Sequence, residues 1–199
     1  MHDVCGVILA GGLSRRMEGT EKSLLPVCGI PLIQRVKTRL ADQVSPILLN
    51  ANGDGSRFSF LDLPIQPDPL EGFAGPLAGV LAGMKWAEES FEWVITAAAD
   101  TPFFPKNYAS KMVELRGENK IILAASNQRR HPVFSLWHVS LAENLESFLV
   151  RGDRKVMLFV QEYANQTVNF EFDKFDPFFN VNTPSDLEQA ELIAKEIDG

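Results

Sequence analysis

Val4-Cys5-Gly6-Val7-Ile8-Leu9, followed at once by Ala10-Gly11-Gly12, is the stretch whose reading sets the architecture of this chain. A short, mostly apolar run without polar alternation reads as a strand covered on both faces, the kind found inside a parallel sheet. The glycines break that strand and open a polar stretch through Leu13-Ser14-Arg15-Arg16-Met17-Glu18-Gly19-Thr20-Glu21 to Lys22. Glycines directly after a buried strand let backbone approach a ligand closely, and their amides can point at phosphate oxygens. Arg15, Arg16 and Lys22 gather positive charge beside them. The stretch is not a Walker A loop, because Glu21 rather than glycine precedes Lys22. It is neither GxGxxG nor a GxSxG elbow around Ser14. A tight turn beside a solvated basic face is the plain structural reading of the same residues.

Working outward, Pro46–Asn50 and Leu63–Gln66 are further short strand candidates, and Phe91–Ala99 is the most apolar of all. Ile121–Ala125 and Val133–Trp137 follow. Helical spacing lies between them. Ile33, Val36 and Leu40 recur from Pro31 to about Gln43, and Leu77, Val80, Leu81 and Met84 share a face behind Pro76. Tyr108, Met112 and Leu115 mark a third helix; Leu141–Leu149 and Val156–Tyr163 supply two more. Thr183-Pro184-Ser185-Asp186 starts the last one, with Thr as N-cap, proline in the first turn and an acid placed to bond back. Strands alternating with helices of roughly ten to fifteen residues predict an α/β fold, a mainly parallel sheet with helices on both faces. In such sheets ligands bind beyond the carboxyl ends of the strands. The loops after Leu9, Leu49, Gln66 and Ala99 are therefore the ones to inspect.

The chain has 199 residues, 45% hydrophobic and 23% charged, with mean hydropathy −0.04, which suits one soluble domain. No apolar run approaches the roughly 18 residues of a membrane span. Met1-His2-Asp3 lacks the basic and apolar regions of a signal peptide, so the expected compartment is the cytosol. Cys5 and Cys28 stand in no CxxC pair and are expected to be buried reduced thiols; with 3 histidines they build no zinc or disulfide framework. Against 26 acidic residues stand 19 basic ones, a net charge of −7, which disfavours DNA, RNA and anionic membranes. A polyanionic ligand then requires a local basic site. No exposed apolar seam is readable, and a monomer is expected.

Further candidate residues lie at the strand ends. Asp100 follows Ala97-Ala98-Ala99 at the end of the most apolar strand, where a carboxylate is costly unless it meets a cation or donors. A hard ion such as Mg²⁺, held by a carboxylate and phosphate oxygens, meets that demand; an N-cap or Asx turn before Thr101-Pro102 is the alternative. Asn50, and Asp68 between Pro67 and Pro69, read as turn chemistry in isolation. Asn182 reads as capping chemistry, Arg154 and Lys155 as a solvated helix start, and His131 before Pro132 as structural. No general base with a tuned pKa is evident.

Leu9-Ala10-Gly11-Gly12-x-Ser14-x-Arg16-Met17, with Lys22 ten residues after Gly12, resembles the signature of nucleotidyltransferases that share a Rossmann-like sheet. Within them the chain is most similar to the molybdenum cofactor guanylyltransferases, which link GMP to molybdopterin. Asn50-Ala51-Asn52, Pro67-Asp68, Gly75-Pro76-Leu77-Ala78-Gly79, Asp100-Thr101-Pro102-Phe103, His131-Pro132, Gly152-Asp153-Arg154-Lys155 and Asn180-Val181-Asn182-Thr183-Pro184 match in order. Glu18 departs from the family's usual glycine and puts a carboxylate into the phosphate loop; Glu21 departs from its usual aspartate.

The resemblance implies a three-layer α/β/α Rossmann-like nucleotidyltransferase domain over residues 1–199, with a nucleotide-binding part of about 1–105 and a molybdopterin-facing part of about 106–199. It places Leu9, Ala10, Gly11, Gly12, Lys22, Asn50, Asp68 and Asp100 at the nucleotide, and gives Arg16, Lys22 and Asp100 catalytic roles. It implies Mg²⁺ on Asp100 and puts Arg154, Lys155, Asn180 and Asn182 towards molybdopterin. In the reaction it implies, the terminal phosphate of molybdopterin attacks the α-phosphate of GTP and pyrophosphate leaves in line. An attacking phosphate monoester is already anionic near neutral pH, so the lack of a base is coherent with such chemistry. The rival enzymes transfer CMP to molybdopterin, or NMP to a sugar or alditol phosphate; cytidylyl relatives tend to carry Leu-Ala-Ala-Gly at the loop. A non-catalytic nucleotide-sensing module is the rival of another class. An unstable pterin further implies hand-over, hence transient contact with molybdopterin-supplying proteins and apo-molybdoenzymes.

Overall fold

The computed structural model describes residues 2–11, 21–72 and 75–198. Gly12, Ser14, Arg15, Arg16 and Glu18 of the polar loop lie outside the described residues. In chain order the strands are β1 (Val4–Leu9), β2 (Pro26–Val27), β3 (Ile30–Pro31), β4 (Ile47–Asn50), β5 (Ile65–Gln66), β6 (Trp93–Ala98), β7 (Ile121–Ser126), β8 (Arg129–His138) and β9 (Asn165–Asn169). The α-helices are α1 (Leu32–Ala41), α2 (Pro76–Ala87), α3 (Tyr108–Glu114), α4 (Ala142–Val150), α5 (Val156–Gln161) and α6 (Pro184–Asp198).

Among the described residues, the strands form a seven-stranded sheet in the order β5-β4-β1-β6-β8-β7-β9, beside the separate β2–β3 hairpin. β1 pairs in parallel with β4 on one side and β6 on the other. β8 runs antiparallel to both its neighbours, so the remaining six strands of the sheet all point the same way. The mixed α/β architecture with a mostly parallel sheet is thus as expected from the alternating pattern.

Side chains of β1 alternate between the two faces, as strand geometry requires. Val4 and Ile8 join a core with Ile33, Val36 and Leu40 of α1 and Tyr108 and Met112 of α3. Cys5 and Val7 face the opposite core with Leu77, Leu81 and Met84 of α2 and Leu145 and Phe148 of α4. A third apolar cluster joins Val27 of β2, Val181, and Ala190, Ile193 and Ala194 of α6. It seats the last helix beside the carboxyl end of the sheet.

Several elements differ from the sequence reading. β8 starts at Arg129, not Val133, because Asn127 and Gln128 adopt left-handed φ of 45° and 64° and turn the chain straight out of β7. β9 was not expected: of Asn165-Gln166-Thr167-Val168-Asn169 only Val168 is buried, so this edge strand carries no apolar signal. The strand expected from Leu63 is only Ile65–Gln66, and it is preceded by a 3₁₀ helix at Gly55–Leu61 with left-handed Asp62 after it. Cys28 is a correction. It is exposed, at φ 48° in the β2–β3 turn, because neighbouring Val27 takes the buried position. Cys5 is buried, and that burial pushes its thiol up to about 12. Both cysteines are free thiols. No described helix is long and apolar enough to cross a membrane.

Candidate active site

At the carboxyl ends of β1, β4 and β6 lies a cleft of about 760 Å³. Leu9, Ala10 and Gly11 form its floor, Glu21, Lys22 and Ser23 one rim, and Asn50 with Gly75 and Pro76 one wall. Ala98, Ala99 and Asp100 face them, joined by Val133, Asn180, Asn182 and Thr183.

The wall at β4 and β5 is a hydrogen-bonded network of amides around one carboxylate. Asn50 Nδ2 donates to Gln66 O at 3.3 Å and to Asp68 Oδ1 at 3.0 Å. Asn52 Nδ2 donates to Asp68 Oδ2 and to Gly11 O, both at 2.8 Å, and its Oδ1 accepts from Asp68 N at 2.8 Å. The Asn50 amide is wedged between two glycines. A Cβ on Gly11 would stand 2.7 Å from Asn50 Oδ1, and one on Gly79 of α2 only 2.3 Å away. Asn52 was not singled out from the sequence, although alternate residues at a strand end share a side and Asn50-Ala51-Asn52 carries that signal.

The opposite wall carries charge. Lys22 Nζ makes an ion pair with Asp100 Oδ2 and donates to Asn182 Oδ1 at 2.7 Å. The Lys22 and Asp100 side chains are only 16% and 19% exposed, so each is the other's main compensation for leaving water. The Thr101 hydroxyl donates to Asp100 Oδ1 at 3.1 Å. Asp100 therefore faces a cation in the cleft and caps no helix. Its carbonyl accepts from Val181 N at 3.1 Å, which draws the chain around Asn180 and Asn182 alongside.

The start of α6 closes reciprocally, as its sequence predicts. Asp186 Oδ2 accepts from Asn182 N at 2.9 Å and Thr183 N at 2.8 Å, and Thr183 Oγ1 accepts from Asp186 N at 3.1 Å. Desolvation works to raise the Asp186 carboxyl, yet these bonds and the nearby Lys22 charge hold it below its ordinary value. Glu21, the acid before the lysine, accepts from Arg57 Nε at 2.5 Å and from the Ser23 hydroxyl at 3.3 Å. Arg57 Nη2 also donates to Asn52 O at 2.8 Å. One guanidinium thereby ties the lysine segment to the amide wall, a role with no local sequence signal.

Of the residues expected at the site, Leu9, Ala10, Gly11, Lys22, Asn50, Asp100, Asn180 and Asn182 meet in the cleft. Asp68 stands behind Asn50 and Asn52 as their common acceptor. Arg154 donates to Gly72 O at 3.4 Å and exposed Lys155 precedes α5; neither lines the cleft as described. Gly12 and Arg16 lie outside the described residues. Among the described residues no three His, Cys, Asp or Glu side chains cluster as metal ligands.

A cleft over the carboxyl ends of parallel strands, with a lysine and an aspartate meeting in it, is where an open α/β sheet of the Rossmann-like type receives a ligand such as a nucleotide. Residues 6–167 match the family model of the MobA-like NTP transferase domain. A molybdenum cofactor guanylyltransferase of Mesorhizobium japonicum is 42% identical over 98% of this chain and 98% of its own length. One from Rhodopseudomonas palustris is 44% identical over 94% of this chain and 92% of its own. Among solved structures, molybdopterin-guanine dinucleotide biosynthesis protein A of Archaeoglobus fulgidus superposes with TM-score 0.76 at 24% identity, covering 96% of this chain and 99% of that one. A cytidylyltransferase of Leptospira borgpetersenii shares the fold at TM-score 0.73 and 15% identity, over 98% of this chain and 88% of that one. The chain belongs to the MobA-like NTP transferase family and, within it, to the molybdenum cofactor guanylyltransferases.

Proposed function

We propose that this protein transfers GMP from GTP to the terminal phosphate of molybdopterin, forming molybdopterin guanine dinucleotide and releasing pyrophosphate. The observation that carries the reading is the Lys22 ammonium held between Asp100 and Asn182 in the lining of the cleft. A cation already fixed where charge develops needs no reorganisation during transfer. Phosphoryl transfer asks for such positioning and neutralisation more than for a covalent intermediate. In this reading Leu9, Ala10, Gly11, Gly12, Asn50 and Asp68 hold the nucleoside. Lys22 and Arg16 neutralise the triphosphate, and Asn180 and Asn182 face the acceptor with Arg154 and Lys155 towards its phosphate.

The donor set suits Mg²⁺ of the kind that takes one carboxylate from the protein and the rest of its shell from phosphate and water. Asp100, already paired with a cation, is the residue that would hold it. Bound there, the ion would offset charge on the phosphates.

Guanylyl rather than cytidylyl transfer is favoured by Gly11. Cytidylyl relatives tend to carry alanine at that position, and here a Cβ would press within 2.7 Å of Asn50 Oδ1 and 3.2 Å of Asp68 Oδ1. The test is pyrophosphate release from GTP with Mg²⁺, with and without molybdopterin. Release that requires molybdopterin is expected. A protein that binds GTP and releases none is a sensor, and the reading fails.

A further inference from the structure

Ser126, His131 and Asp176 form a polar cluster away from the cleft lining. Ser126 ends β7 with no exposed surface, and its hydroxyl donates to Asp176 Oδ1 at 2.8 Å. His131 Nε2 lies 2.6 Å from the same hydroxyl oxygen. The hydroxyl's one proton is committed to Asp176, so Nε2 carries the ring's proton and donates to Ser126. Burial holds His131 below its ordinary value against the pull of Asp176, with Arg129 adding to the lowering. A neutral, Nε2-protonated ring is the consequence at neutral pH.

The order of the three groups excludes nucleophilic catalysis. A serine activated for attack hands its proton to the imidazole, with the carboxylate behind the ring. Here the serine sits in the middle and donates its hydrogen bond to the carboxylate. The cluster instead grips a strap of irregular chain. Asp176 Oδ1 also accepts from Phe178 N at 2.9 Å, and the Phe178 ring stacks on His131 at 4.5 Å. From there the strap runs to Asn180, to buried Val181 bonded to the Asp100 carbonyl, and to Asn182 on Lys22.

We infer that Ser126, His131 and Asp176 are positioning residues that fix the strap of residues 176–182, and thereby set where Asn180 and Asn182 meet the acceptor substrate. The inference rests on the reading that this wall receives molybdopterin. A fully partnered buried polar cluster makes one arrangement of the chain cheaper than any that leaves its groups unpaired. A displacement of about 1 Å at a reacting group is enough to slow a transfer markedly.

The test pairs hydrogen–deuterium exchange with kinetics on Ser126→Ala, which removes the hydroxyl and keeps the packing. Exchange at the amides of Phe178, Val181 and Asn182 is expected to rise roughly tenfold, the scale of one lost buried hydrogen bond, while β1 and β6 stay unchanged. KM for molybdopterin is expected to rise by about the same factor and KM for GTP by clearly less, because the strap reaches the nucleotide only through Asn182 on Lys22. Asp176→Asn, whose side-chain oxygen can still accept from Ser126 and Phe178, keeps most of the wild-type behaviour. Unchanged exchange in the strap, or equal rises in both KM values, overturns the inference. If Ser126→Ala does not fold, His131→Ala is read by the same two measurements. If the wild-type protein makes no dinucleotide, the functional reading has failed, and the exchange pattern alone decides whether the cluster positions the strap.

Discussion

The wall at β4 and β5 is preset in shape, and the wall at β6 is preset in charge. In the first, neutral amides of Asn50 and Asn52 lock onto Asp68 and the Gly11 carbonyl, and two glycines leave them no spare room. In the second, Lys22 is shared between Asp100 and an amide carried on an irregular strap. A shaped wall suits a rigid, uncharged partner such as a base and ribose. A wall with a lysine and an aspartate facing one another suits phosphates, because an incoming anion takes over a cation that is already desolvated. Changes in the charged wall should therefore cost chemistry, and changes in the shaped wall binding.

The largest effect is expected at Asp100. Asp100→Asn keeps the shape and still accepts from Thr101, but loses the charge that pairs with Lys22 and would hold Mg²⁺. Transfer should fall by about three orders of magnitude or more in a variant that still folds, with a melting temperature lowered by the loss of Lys22's partner. Kinetics across a Mg²⁺ titration decide it, and near-normal turnover in a folded variant removes the metal role. Lys22→Ala comes next: turnover should drop roughly a hundredfold, with Asp100 left to Thr101 and solvent. A variant that unfolds yet keeps full activity per folded molecule would show a structural lysine instead.

Gly79→Ala attacks the other wall. Its Cβ would lie 2.3 Å from Asn50 Oδ1 and 2.7 Å from Leu9 Cδ2, so Asn50 must move. Overpacking of this kind costs about 1–3 kcal/mol. Thermal protection by GTP should weaken more than turnover at saturating substrate. Equal loss of both would show that the two walls do not divide the work.

The smallest effect is on acid stability. Burial is the main reason His131 and His138 both lie below their ordinary value of 6.5. The unfolded chain then binds more protons than the native one between the folded values and 6.5, so stability should fall as pH drops through that window. Melting curves from alkaline to mildly acidic pH should show the loss, and His131→Gln should flatten part of it.

What the sequence revealed follows from which interactions are local. β1 could be read from Val4 to Leu9 because burial on both faces leaves an uninterrupted apolar run. The cap of α6 was equally legible, since Thr183 and Asp186 bond across a single turn. β9 was not, because a polar edge strand looks like loop. Ser126 and Asp176 meet across 50 residues, and Glu21 and Arg57 across 36, and no pattern in one segment announces a partner in another. Lys22 and Asp100 stood out in their own segments, as charge beside the glycines and as a carboxylate ending an apolar strand, whereas Asn180 and Asn182 were placed at the site only by the ordered set of motifs. Arg154 and Lys155 matched the same set, yet lie outside the described cleft lining.

If one wall selects guanine and the other drives transfer to molybdopterin, base choice and product must go together. The most direct test offers the protein GTP, CTP and ATP in equal amounts together with molybdopterin and Mg²⁺, and identifies the dinucleotides formed by mass spectrometry. The account predicts the guanine dinucleotide almost alone, with one pyrophosphate released for each. Cytosine or adenine dinucleotides in comparable amounts, or pyrophosphate without any dinucleotide, would contradict it.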